Sequence, residues 1–271
     1  MSHYTVLVVT RDGDYDSALA PFDENIEVKP YVRRSKEDCI NEILELKRRY
    51  DTNDEHLNRE WFEEEWGSTD FTDHEEIFRK YKEIHNYENW NGDNIISTYN
   101  PKSKWDWYQL GGRWGGSFKL KEGAKVIKES DKTWATGWEE VEKGYTDHAQ
   151  FKDIDLTPNP EEVKKAERFW EVVVEGQPLE EGENESDFRT FWKKDYYLEQ
   201  YENKATYVKC QTELFACALL YNGEWIEAGE MGWWGLKNST GDSEKDYRKR
   251  FYEVIDSLDE NDYLSMIDCH I

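Results

Sequence analysis

Hydrophobic and polar positions alternate along this chain with several distinct periods. Residues 4–10 are a continuous apolar, β-branched run, the pattern of a strand buried on both faces. Residues 18–25 (ALAPFDEN) read as a loop carrying a Pro, and 26–32 alternate well enough for a second strand. Ser35-Lys36-Glu37-Asp38 is a capping-box variant with Asp in the Glu position. It opens an amphipathic helix through Cys39, Ile40, Ile43 and Leu44 that ends near Tyr50. Two short helices are expected around 54–65 and 72–86, and short strands with Gly turns over 93–128. After a polar stretch, helices are expected from Pro160 to about Gly176 and from Glu185 to Asn203. Residues 213–221 form a strong strand, and Asn222-Gly223 is the clearest hairpin signal, with 224–228 as the return strand. Tyr247, Phe251, Val254, Ile255 and Leu258 share one helix face, and residues 263–270 form a closing strand.

This order defines an α+β fold, with a mainly antiparallel sheet and helices on one face. A ferredoxin-like (split βαβ) core is the most economical arrangement. The chain is expected to be a single domain over 1–271, with an acidic helical insertion at 51–92. The insertion's charge reads first as a solvated surface. In the split arrangement the last strand lies antiparallel to the first, which brings His3 to Asp268, Cys269 and His270.

Composition narrows the classes. The 271 residues carry a formal charge of −25. Leu, Ile, Val and Phe together fall just under one fifth of the chain, a level that with this charge suggests disorder. Thirteen Trp and seventeen Tyr reverse that reading, because disordered chains are poor in aromatics and each ring can bury roughly 150–250 Å². No apolar run approaches the roughly 20 residues that cross a bilayer, and the first residues read as a strand rather than a signal peptide, so no membrane partner is expected. The four cysteines form no CxxC pair, which fits a reducing cytoplasm. The negative charge argues against duplex nucleic acid as a partner.

Against that background, residues 100–128 form a basic island with a net charge of +5. Within it lie Lys102, Lys104, Trp105, Trp107, Tyr108, Arg113 and Trp114, interleaved with Gly111, Gly112, Gly115 and Gly116. Glycine N–H groups can cradle an anion, Arg113 can grip a phosphate, and an indole can stack on a base. In a strand, Trp105-x-Trp107 would point both indoles to one face, a pattern that fits core packing as well as a pocket wall. A second aromatic–glycine segment at 229–235 adds Trp233 and Trp234 as walls of the same pocket, or as the packing of a wide turn. A third candidate is the polar cluster of His3, Asp268 and His270, read as a hydrogen-bonded pin of the terminus, a general base, or a metal site. Asp147-His148 is a weak signal, and His56, His74 and His85 lack ligand spacing. No nucleophile elbow, Walker loop or dinucleotide fingerprint is present, so no catalytic residue, metal or cofactor is assigned.

The opening MSHYTVLVV, the LAPFDEN loop, the EVKPY strand, the NPKSKWDWYQLGGRW core, the GEWIEAGEMGWWG stretch and the ending MIDCHI resemble a family of bacteriophage and prophage proteins without an established activity. The resemblance runs end to end and is weakest over roughly 51–95 and 125–205. It implies phage origin and the host cytoplasm, and no chemistry. In that setting the expectation is an anti-defence protein. It would sequester a small nucleotide-derived immune signal, cyclic nucleotide or cyclic ADP-ribose-like, without turnover. The alternatives are a hydrolase on the same ligand class using His3, Asp268 and His270, and an acidic inhibitor or nucleic-acid mimic that binds a host defence protein. A homo-oligomer is compatible with each.

Overall fold

A strand with apolar residues on both faces needs cover on both, and the first strand takes the position that provides it. The computed structural model describes residues 3–132, 140–231 and 237–271. In chain order the first elements are β1 (His3–Thr10), α1 (Tyr15–Leu19), β2 (Tyr31–Arg34), α2 (Lys36–Asp51), α3 (Arg59–Trp66), α4 (His74–Ile84), β3 (Trp90–Asn91) and β4 (Asn94–Ser97). There follow β5 (Trp107–Leu110), β6 (Phe118–Lys119), β7 (Tyr145–Thr146), β8 (His148–Gln150), α5 (Pro160–Val173), α6 (Lys194–Tyr201) and α7 (Lys204–Thr212). The last are β9 (Ala218–Tyr221), β10 (Glu224–Glu227), β11 (Glu230–Met231), β12 (Lys237–Asn238), α8 (Gly241–Ser257) and β13 (Tyr263–His270).

The chain divides into two compact units, Met1–Glu24 with Lys102–Ile271, and Asn25–Pro101. The first is built on a sheet of order β10-β9-β1-β13-β5, with β8 also paired to β13. Only β1 and β9 run parallel; the other pairs are antiparallel. β10 and β13 therefore run in the same sense, joined through α8, with β9 and β1 between them. This is an α+β fold with a mainly antiparallel sheet. One sheet face, with Leu7, Val9, Leu219, Leu264 and Met266, packs against Tyr247, Phe251, Val254 and Ile255 of α8. The other, with Tyr4, Val6, Val8, Leu220, Ile267 and Cys269, packs against Tyr15, Leu19, Phe22 and Trp105. The β9–β10 turn places Asn222 at φ 52° and Gly223 at φ 75°, the left-handed pair that a two-residue hairpin demands.

The second unit pairs the β2-β4-β3 sheet with α2, α3 and α4 around Cys39, Ile43, Phe62, Trp66, Ile77, Phe78, Tyr81 and Ile95. The Ser35–Asp38 capping box is formed in both directions. The unit is larger than the acidic segment 51–92: it takes in the capped helix α2 and β4, whose apolar residues close the same core, and β2, which pairs with β4.

Three expected elements differ. The strand expected over 26–32 forms only from Tyr31, directly after Pro30, which has no N–H to donate. The helix expected over 185–203 is a 3-10 turn at Glu185–Phe188 followed by α6, which stops where Glu202 adopts φ 64°. Asn203 then caps a further helix, α7, by accepting from Thr206 N, so residues 204–212 are helical and the strand expected from 213 starts at Ala218.

Candidate functional site

Register across three strands builds the site. His3 on β1 stands opposite His270 on β13, and His270 stands opposite Trp107 on β5. One step inward, Thr5, Asp268 and Gln109 form the next row on the same face, because side chains two apart share a face. The His3 Nδ1 donates to Asp268 Oδ1 at 2.8 Å across the diagonal, and the His270 Nδ1 donates to Asp106 Oδ1 at 2.6 Å. The two imidazoles are 5.0 Å apart between centroids at 70°. Trp107 stacks on His270 at 5.0 Å and meets His3 edge-on at 5.1 Å. A carboxylate only accepts, so each Nδ1 carries the hydrogen and each Nε2 is left for chemistry. Among the described residues neither Nε2 has a hydrogen-bond partner in the protein.

Asp268 is fully buried, and it also accepts from Arg113 N at 3.0 Å. It thereby ties the histidine row to the glycine loop. Gly112 (φ 53°) lies so close that a Cβ there would stand 2.4 Å from Asp268. Asp147, also fully buried, holds the rest of the loop by accepting from Gly116 N at 2.7 Å, Ser117 N at 2.8 Å and the Ser130 hydroxyl. A Cβ on Gly111 (φ 73°) would stand 2.2 Å from that carboxylate. The loop's amides do cradle anions, but the anions are the protein's own aspartates. The glycines are required by these close approaches, and the expected phosphate cradle is already filled.

The other candidates separate in the same way. Trp105 precedes β5, is buried in the opposite core and donates through Nε1 to the Leu19 carbonyl at 3.2 Å. The expectation that Trp105 and Trp107 share a face fails because the strand begins only at Trp107. Tyr108 faces away from the histidines, and its hydroxyl donates to Asp16 at 2.6 Å; burial, then Asp16, pushes its pKa up. Lys104 pairs with Glu227 at 2.7 Å, which removes it as a steering charge. Lys119 pairs with Asp155 at 2.7 Å, Lys121 donates to the Lys152 carbonyl, and Lys128 approaches Asp16 at 3.9 Å, so carboxylates and a carbonyl from elsewhere in the fold engage much of the basic island. Lys102 and Arg113 are exposed, as is Trp114 at 42%. Trp233 and Trp234 lie outside the described residues. Cys269 sits in the core opposite the histidines, and burial raises its thiol well above the ordinary range.

Asp106 was not singled out in the sequence. Nothing local marks it, since its role follows from β5 pairing with β13. Beside the histidine row a cleft of about 570 Å³ is lined by Thr5, Trp114, Tyr145, Phe215, Cys217 and Met266 among others. A larger cleft of about 700 Å³ lies along α5, where the Arg168 guanidinium is already bonded to Glu183, Glu171 and the Pro178 carbonyl. Among the described residues no group of three or more His, Cys, Asp or Glu is placed to hold a metal ion.

Fold and site together define an α+β protein carrying two adjacent Asp–His pairs at one end of the β1, β13 and β5 strands of its central sheet. Comparison with protein-family models, with curated proteins and with solved structures returned no match.

Proposed function

We propose that the protein hydrolyses a small nucleotide-derived phosphoester by general acid–base catalysis, with His3 and His270 as the proton-transfer pair. The observation that carries this reading is the twin arrangement: two imidazoles 5.0 Å apart, each with Nδ1 held by its own carboxylate. One neutral ring takes a proton from water through Nε2 as the water oxygen bonds to phosphorus. The other, protonated, gives its Nε2 proton to the departing oxygen as the P–O bond breaks, so the net change is addition of water. Trp107 and Trp114, 40% and 42% exposed, offer surface for a base, and Arg113 offers a charge for phosphate. In the setting that the phage resemblance implies, the substrate would be a cyclic nucleotide or cyclic ADP-ribose-like immune signal. Its hydrolysis would silence the host as surely as its sequestration.

The test is to incubate the protein with cyclic dinucleotides, cyclic ADP-ribose isomers and linear nucleotides, then quantify each in the filtrate and again after heat denaturation. At least one should return altered. His3→Ala and His270→Ala should each slow that conversion by about 10²–10⁴-fold, with a bell-shaped pH profile in the wild type. A ligand that disappears and returns intact would replace hydrolysis with sequestration. A panel left untouched would remove this surface as a nucleotide site.

A further inference from the structure

A third cleft, of about 540 Å³, is lined by the end of α6 together with α7 and α8. Its lining is opposite in charge to the chain: Lys209, Lys245, Arg248 and Lys249 line it together with Glu202 and Asp246 in a protein of net charge −25. Two of the four cations also meet carboxylates. Lys245 stands 3.5 Å from Glu202, and Lys209 stands 3.7 Å from Glu213 outside the cleft. Among the described residues Arg248 and Lys249 have no carboxylate partner. Aromatic rings also hold two of the four cations. The Arg248 guanidinium lies 4.9 Å from the centre of Tyr201, and Lys209 Nζ lies 4.0 Å from that of Tyr252.

Arg248 donates from one terminal nitrogen to the Gln200 carbonyl at 3.0 Å, yet its Nε is buried with no hydrogen-bond partner. The Tyr252 hydroxyl is buried against the Cys210 thiol. Buried donors are normally satisfied, and a guanidinium contains five of them in a fixed fork suited to carboxylate or phosphate. Arg168, whose donors meet two carboxylates and a carbonyl of the same chain, shows the satisfied state that Arg248 lacks.

We propose that this cleft binds a diphosphate-bearing small molecule, with Arg248, Lys245 and Lys249 as its anion ligands. Four cations against two acids suit a ligand of more than one negative charge. One face each of Tyr201 and Tyr252 is already taken by a cation, so recognition falls on the phosphates and not on a stacked base. The volume suits a small ligand, for which pockets run from about 300 to 1,000 Å³. Burial raises the Cys210 thiol, in keeping with binding and not covalent chemistry. The site does not depend on the histidine row.

The test titrates the full chain with inorganic pyrophosphate, ADP and adenosine at constant ionic strength, by calorimetry. Pyrophosphate and ADP should bind saturably and within a few-fold of each other, and adenosine should not bind. The double variant Lys245→Ala/Lys249→Ala changes partly or fully exposed residues and should keep the wild-type circular dichroism. It should lose about tenfold or more in affinity, equivalent to ~1.4 kcal/mol. Arg248→Met should lose at least as much, while Lys82→Ala, in the second unit, should bind pyrophosphate as the wild type does. Absence of saturable pyrophosphate binding, preference for adenosine, or a double variant that titrates like the wild type would each overturn the assignment.

Discussion

The glycine loop at residues 111–117 and the α7–α8 cleft combine the same ingredients, donors and aromatics, and use them in opposite ways. In the loop the amides of Arg113, Gly116 and Ser117 end on the buried carboxylates of Asp268 and Asp147. In the cleft the Arg248 Nε ends on nothing. A donor paired within the chain contributes to stability and to the shape of the site, whereas an unpaired one costs stability and is available to a ligand. Residue types that look like a binding site can therefore be scaffold. The useful observation is which polar groups the fold leaves unpaired.

The comparison breaks most visibly at the glycines. Gly112→Ala drives a Cβ to 2.4 Å from Asp268 at a positive φ, and should cost ~3 kcal/mol or more in urea denaturation. If the loss is below ~1 kcal/mol, the loop is not clamped by that carboxylate. Next in size, Asp268→Asn keeps the volume but forfeits the charge that His3 and Arg113 N share. It should cost ~1–3 kcal/mol and abolish turnover of any substrate found, a double effect that a purely structural aspartate would not have. On the other side, Arg248→Met removes an unsatisfied donor together with one hydrogen bond to Gln200. Its midpoint should move by no more than ~1 kcal/mol even though pyrophosphate affinity falls.

The smallest expected effect is a pH slope. His148 is buried against Tyr15 and Tyr263 with its Nδ1 2.8 Å from the Ser265 hydroxyl. Burial, then the Lys128 charge, holds its pKa below the ordinary value near 6.5. The unfolded chain then binds a proton that the folded chain resists, so this contribution is present above pH ~6.5 and is lost as the pH falls through the depressed folded value. Stability measured over that interval should decline more steeply in the wild type than in His148→Gln. Equal slopes would mean that other groups carry the acid sensitivity.

Local pattern made several elements legible. The apolar run of β1, the capping box of α2, the Asn222-Gly223 turn and the single apolar face of α8 each depend on neighbours within a few residues, and each is where periodicity places it. Topology extended that reach once, since an antiparallel closing strand beside the first brings His3, Asp268 and His270 together. The break between α6 and α7 was not legible. It depends on Glu202 accepting a left-handed conformation that its residue type disfavours.

Pairing over long distances lay beyond the sequence. Trp105 and Trp107 differ by two positions, yet one is core and the other covers the histidines, because the strand starts between them. Lys104 finds Glu227 and His270 finds Asp106 across 123 and 164 residues. Fold class, the buried central strand and the acidic exterior follow from composition and period, which are properties of short windows. Which charges cancel, which carboxylates fill the glycine loop and which guanidinium nitrogen is left without an acceptor follow from contacts between residues far apart in the chain. Those contacts exist only once the sheet register has closed, since a shift of one residue would turn every side chain of the row to the opposite face.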